Sequence, residues 1–188
     1  MNLYVSLAKK AVENYIKEGK IIEPSQRDLP KEFFETRAGT FVTIEKDNEL
    51  RGCIGTYLPT RPTIAEEIIR NAVAAATEDY RFGSIKKEEL PRLSYRVYIL
   101  SDPEPVKDIK TLDPKKFGII VKTTPFAYPN EKVGWFDGCA PLKSGLLLPD
   151  LEGIDTVEKQ FLVACQKGQI DSVREKVFIY RFTVEKHE

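Results

Sequence analysis

The sequence predicts an α+β fold: a mixed, mainly antiparallel sheet with flanking helices. Three observations lead there. Stretches with helical periodicity and short β-branched runs are interspersed, without the regular strand–helix–strand alternation of a parallel sheet. Residues 40–44 and 50–57 flank the pair Asp47-Asn48, which favours a tight turn, so the two runs read as a hairpin. The 188 residues suffice for a sizeable core yet suit one domain, so residues 1–188 are read as a single domain.

The elements follow in order. Residues 2–18 place Leu3, Leu7, Ala11 and Val12 on one stripe, widened by Tyr4, Ala8, Tyr15 and Ile16, and Gly19 is positioned to cap this helix. Residues 20–38 carry two prolines and many charges and read as an extended connector. The β-branched run 40–44 is a strand, 45–49 a polar turn and 50–57 the return strand. Thr63 and Glu66 stand at capping-box spacing, so a helix starts there. Its broad apolar face, built on Ile64, Ile68, Ala72 and Ala75 and extended by Ile69, Val73 and Ala76, runs to about Asp79. Residues 93–100 alternate as a strand, Asp102-Pro103-Glu104-Pro105 is a rigid break, and 118–122 is a further strand. Residues 123–144 are rich in proline and aromatics (Phe126, Tyr128, Trp135, Phe136) and read as a long loop or short hairpin elaborating the fold. Asp155-x-x-Glu158 opens a last helix ending near Gly168, with Val157, Phe161, Ala164 and Cys165 inward, and residues 177–184 form a terminal strand.

Charge and composition exclude several functions. Lys+Arg and Asp+Glu each number 29, so the chain as a whole lacks the basic footprint of a nucleic-acid binder. No stretch approaches the roughly 20 apolar residues of a membrane helix. The first residues show no export signal, so no membrane association and a cytoplasmic location are expected. Cys53, Cys139 and Cys165 are too few and too widely spaced for a disulfide framework. The one histidine, His187, stands near an end expected to fray, which leaves a Ser-His-Asp triad or Cys-His dyad without its base. Cys53, Cys139 and Asp137 lack metal-ligand spacing, so no metal site is assigned, and no cofactor can be named. Glu66-Glu67 and Lys86-Lys87-Glu88-Glu89 read as solvated faces.

The segment Leu50-Arg51-Gly52-Cys53-Ile54-Gly55 carries the candidate chemistry. On a regular strand Leu50, Gly52, Ile54 and Thr56 share one face, and Arg51, Cys53 and Gly55 the other. Arg51 could then place its guanidinium near the Cys53 sulfur, favouring the thiolate, which is the nucleophilic and metal-binding form. Glycines inside a strand weaken it and often mark a close approach by a ligand or another backbone. Two readings stay open: Cys53 as a small core residue beside a glycine bulge, or Cys53 with Arg51 as a reactive pair.

Taken with its surroundings, this segment resembles the signature of the AMMECR domain family, whose bacterial members are labelled AmmeMemoRadiSam system protein A. Further blocks match in order: Thr56 with Pro59-Thr60-Arg61-Pro62-Thr63, Asn71-Ala72, Ala75-Ala76, Asp79 with Arg81-Phe82, Glu89-Leu90-Pro91, and Gly145-Leu146-Leu147-Leu148-Pro149 with Asp155-Thr156-Val157-Glu158. The chain departs from the family where Asp79-Tyr80-Arg81-Phe82-Gly83-Ser84 stands for the common Asp-Pro-Arg-Phe-Pro-Pro. The resemblance implies two lobes with a cleft near the signature. It also implies association with a Memo-like dioxygenase relative and a radical-SAM protein, without a settled reaction; the oligomeric state stays open. It suggests Cys53 and Arg51 as catalytic candidates, and Gly52, Gly55, Thr56, Asn71, Asp79 and Arg81 as ligand-binding ones. The functional expectation is a cysteine-dependent enzyme or enzyme component. Its alternative is a non-catalytic binding or scaffold protein whose glycine-rich strand recognises a ligand or partner.

Overall fold

The first helix shows why local signals place the elements. In the computed structural model, which describes residues 2–125 and 143–188, α1 spans Leu3–Glu18. The Asn2 side chain accepts the Tyr4 N–H at its start, and Gly19 ends it at φ 69°, a left-handed conformation that glycine adopts without strain. Val5, Leu7, Ala8, Ala11 and Val12 are its buried stripe, while Leu3 stays exposed. The connector contains a short helix, α2 (Glu32–Glu35), which sequence periodicity did not signal. Its Phe33 is fully buried and stacks on Tyr4 at 4.4 Å between ring centroids.

Strands β1 (Thr40–Lys46) and β2 (Glu49–Thr56) form the predicted hairpin, with Asp47 and Asn48 at φ 54° and 67°, the two positive values of the turn type that matches strand twist. Helix α3 (Ile64–Thr77) follows, and the Thr63 side chain accepts the Glu66 N–H at 3.2 Å as the capping spacing predicts. Then come β3 (Leu93–Leu100), the two-residue β4 (Glu104–Pro105), β5 (Gly118–Lys122), β6 (Ser144–Leu147), α4 (Val157–Lys167), β7 (Phe178–Phe182) and β8 (Val184–His187). Thr156, not Asp155, caps α4, accepting the Lys159 N–H. The predicted terminal strand 177–184 is two strands, β7 and β8, which enter different sheets. The aromatic elaboration, with Cys139, falls on residues 126–142, outside the described residues.

The strands form two four-stranded sheets, ordered β2-β1-β3-β8 and β4-β7-β5-β6. The pairings of β1 with β2 and β3, of β4 with β7, and of β5 with β6 and β7 are antiparallel. Each sheet belongs to its own compact unit. The first comprises residues 1–102 and 185–188, the second residues 103–184. In the first, α1 and α3 bury their apolar faces against the β2-β1-β3 face that carries Val42, Ile44 and Val97. In the second, Ala164 and Cys165 of α4 pack on Ile119, Val121 and Leu147, which puts Cys165 in the core as its helical stripe predicts. His187 does not fray. It lies in β8, is buried, meets Asn2 Nδ2 through its Nδ1 at 3.0 Å, and packs its ring on Tyr4.

The seating of α3 turns on one missing side chain. A Cβ on Gly52 would lie 2.1 Å from the Ala75 carbonyl oxygen, inside any van der Waals contact. Gly52→Ala is therefore expected to lower the unfolding free energy by about 3 kcal/mol in urea denaturation. Gly83→Ala, where a Cβ meets nothing within 4 Å, should shift it by no more than about 0.5 kcal/mol. Equal effects would refute this role for Gly52.

Candidate functional site

Register decides what surrounds Cys53. The hairpin pairs Lys46 with Glu49 and Glu45 with Leu50, but then Ile44 with Gly52 and Thr43 with Cys53. Arg51 is the extra residue of a β-bulge. The bulge breaks the simple alternation, so Leu50, paired with Glu45, shares the face of Thr43 and Cys53. Gly52, Ile54 and Thr56 face α3. Across the sheet Cys53, Thr43 and Arg96 form one row on the face turned away from α3.

Arg51 is drawn to a carboxylate. Its Nε and Nη2 donate to the two oxygens of Glu89 at 2.9 and 3.0 Å, and its Nη1 donates to the Gly83 carbonyl at 2.8 Å. Lys46 Nζ joins the same carboxylate at 3.1 Å. The Arg51 side chain is only 16% exposed and that of Glu89 15%. Far from lining a solvated face, Glu89 is a paired, half-buried anion. The Arg51 hydrogen bond, chiefly, holds its carboxyl well below the usual range, at about 2.

Cys53 is gripped from two sides. The Thr43 hydroxyl donates to its Sγ at 3.2 Å. Beyond α3 the chain turns back along the open edge of β2. There the buried Asp79 accepts the Cys53 N–H at 2.9 Å, and Arg81 Nη2 donates to the Cys53 carbonyl at 3.4 Å. Asp79 and Arg81 are joined by a bidentate pair, Nε to Oδ1 at 2.9 Å and Nη2 to Oδ2 at 2.7 Å. That pair, first, and the Cys53 and Arg81 amides hold the Asp79 carboxyl down at about 2. The same carboxylate raises Arg81, with Cys53 a smaller contributor. Cys53 is partly exposed, and Tyr80, between its two clamping neighbours, is 95% exposed.

The remaining candidates brace the strand. Gly55 gives room to the Phe41 ring, whose nearest atom would stand 2.2 Å from an added Cβ, as Gly52 gives room to Ala75. Asn71, buried on α3, donates through Nδ2 to the Thr40 carbonyl and hydroxyl at 3.0 and 2.9 Å and to the Thr56 hydroxyl at 3.3 Å. The Thr56 hydroxyl donates in turn to Glu67 at 2.5 Å. Glu67, far from lying on a solvated face, is fully buried. It also accepts the Thr60 hydroxyl and the N–H groups of Thr60 and Arg61, the latter two at 2.7 Å each. Among the described residues no cluster of His, Cys, Asp or Glu could hold a metal ion, and no helix is long and apolar enough to cross a membrane.

Thr43, Glu67 and Glu89 were missed by sequence reasoning. Thr43 was hidden by the bulge, because a regular two-residue hairpin sets Val42 opposite Cys53. For Glu67, the available signal was its place one turn before Asn71 and beside Ile68, off the Glu66–Arg70 side of the helix.

Residues 5–187 match the family model described as AMMECR1. A protein of Thermotoga maritima is 50% identical over 186 residues, covering 98% of this chain and 97% of that protein. The chain belongs to the AMMECR1 family. A protein of Clostridium acetobutylicum is 39% identical over 98% of this chain, which spans 36% of that longer protein. The crystal structure of an uncharacterized Pyrococcus horikoshii protein, PH0010, superposes with a TM-score of 0.79 at 31% identity, covering 97% of this chain and 88% of that one. The mixed helix and antiparallel-sheet architecture is thus that of an AMMECR1-type protein.

Two outcomes test the bracing. Asp79 and Glu89 have depressed carboxyl values, so their stabilisation is complete above the ordinary values of 3.8 and 4.5 and is lost as pH falls towards about 2. At pH 7, Asp79→Asn should lower the unfolding free energy by about 2 kcal/mol. In denaturation series from pH 7 to pH 2, its gap from the unsubstituted protein should close with acidification; a gap constant with pH would contradict the assignment. Glu67→Leu leaves the Thr60 and Arg61 N–H groups without their acceptor and should cost about 3 kcal/mol by the same measurement.

Proposed function

We propose that this AMMECR1-family chain is a thiol-dependent enzyme or enzyme component in which the Cys53 thiolate serves as nucleophile or covalent acceptor. One observation carries the reading: the Thr43 hydroxyl donates its hydrogen bond to the Cys53 sulfur on a polar, partly exposed sheet face. A donor aimed at sulfur favours the thiolate, and a thiolate is the form that attacks. The assisting cation in this reading is Arg81, which touches the Cys53 backbone, while Arg51 holds the bulge through Glu89. Asp79 orients Arg81 and Cys53 together. Memo-like dioxygenase and radical-SAM proteins are the partners that the family resemblance supplies for such a component, and a cytoplasmic setting keeps thiols reduced.

The second reading, a non-catalytic binding protein, draws support from Tyr80, an aromatic ring left 95% exposed beside the clamp. Gly52 and Gly55 lend it less, since their open sides are filled by Ala75 and Phe41 of the same chain.

Iodoacetamide labelling against pH, read by peptide mapping so that Cys53 is followed apart from Cys139 and Cys165, distinguishes the two. The thiol reading expects Cys53 to react with a midpoint below the unperturbed ~8.5, rising in Thr43→Val and in Arg81→Gln. A midpoint at the unperturbed value and indifferent to both changes would defeat it. Loss of partner capture in Tyr80→Ser, with labelling unchanged, would favour the binding reading.

A further inference from the structure

A cavity of about 520 Å³ lies within the first unit, between residues 21–24 of the connector, Phe34 of α2, Arg61 and the outer side of α3. Its size is that of a small-molecule site. The apolar part of its lining is Ile21, Ile22, Pro24, Phe34 and Ile69. Ile21 is 57% exposed there, a large aliphatic side chain left uncovered on the rim. The charged lining holds both signs, Arg61 and Arg70 against Glu23 and Glu66.

These four charges are not equally committed. Arg70 is bound by both oxygens of Glu78 at 2.9 and 3.0 Å, and Glu66 accepts the Thr63 hydroxyl at 3.2 Å. The Arg61 guanidinium and the Glu23 carboxylate have no hydrogen-bond or ion-pair partner among the described residues. The Arg61 main chain, by contrast, is anchored. Its N–H is held by buried Glu67 at 2.7 Å, and its carbonyl accepts from Arg37 Nε at 3.4 Å. A spare cation is thus mounted on a fixed backbone, in a cavity whose lining also holds a spare anion and five apolar side chains.

We propose that this cavity binds a small zwitterion with an apolar body, the chemistry of an aliphatic or aromatic α-amino acid. A simple anion drawn to Arg61 would meet Glu23 and Glu66, and a simple cation drawn to those carboxylates would meet the unpaired Arg61 guanidinium. A polar neutral ligand such as a sugar would leave the five apolar side chains unsatisfied. A carboxylate on Arg61, an ammonium on Glu23 and a hydrocarbon side chain on Ile21, Ile22 and Ile69 satisfies all three requirements. The proposal does not depend on Cys53.

Isothermal titration of the full chain with L-leucine and L-phenylalanine tests it, against N-acetyl-L-leucine, L-leucinamide and glycine as probes lacking the ammonium, the carboxylate and the apolar body. Saturable binding of leucine or phenylalanine is expected, weakened at least tenfold in each of the three comparison probes. Arg61→Gln and Glu23→Gln should each weaken binding at least tenfold as well. Arg61→Gln keeps the N–H that Glu67 holds, and both variants are surface changes whose unaltered melting verifies the fold. No saturation by either amino acid up to about 10 mM, equal affinity for N-acetyl-leucine or leucinamide, or unchanged binding in either variant would overturn the proposal.

Discussion

The carbonyl of Ala75 rests where the side chain of residue 52 would be, and the first unit is organised around that contact. An edge strand normally leaves a helix standing off by the height of its side chains. With glycine at position 52, α3 comes down onto β2. At one end of the helix, Glu67 and Asn71 reach the hydroxyls of Thr56 and Thr40. At the other, the chain leaving α3 drops beside the strand, so that Asp79 meets the Cys53 amide. The apparent looseness of a Gly-x-x-Gly strand is the imprint of its neighbours. Ala75 occupies one vacancy and the Phe41 ring the other.

The second unit repeats the device in unrelated sequence. β6 is also an edge strand, and a Cβ on Gly145 would stand 1.8 Å from the Ala164 carbonyl oxygen of α4. Its buried polar anchor is Gln160, which donates to the Phe117 carbonyl at 2.8 Å, where the first unit uses Glu67. Both units thus seat a helix on an edge glycine and lock it with buried polar side chains, Glu67 and Asn71 in the first and Gln160 in the second. Among the described residues, only the first adds a cysteine on the edge strand and an acid–arginine pair across it.

Much of this was legible, for local reasons. The bounds of α1 follow from Asn2, Gly19 and a 3.6-residue stripe. β3 follows from alternation and β5 from a short apolar run, and the turn at Asp47-Asn48 from two residues that tolerate positive φ. The grouping of the signature with Asn71, Asp79 and Arg81 came with the family resemblance, and the structure does bring those side chains to β2. What stayed hidden was non-local. Nothing near Arg51 announces a bulge, yet that one extra residue sends it to Glu89 and exchanges Val42 for Thr43 opposite Cys53. Burial of Glu67 depends on the 56–61 loop folding over it. The break between β7 and β8 reflects a change of sheet that a continuous apolar pattern does not record.

The clamp on Cys53 also bears on the chain's social behaviour. β2 ends its sheet, and an uncovered edge strand offers its amides and carbonyls to any other extended chain. By taking up the N–H and the carbonyl of Cys53 with Asp79 and Arg81, the turn after α3 fills those two valences as a neighbouring strand would. The plug is ionic, so it is only as durable as the charge on Asp79. Acid that neutralises this carboxylate uncovers the middle of a β-rich edge whose bulge and paired arginine are its remaining guards against intermolecular β-pairing.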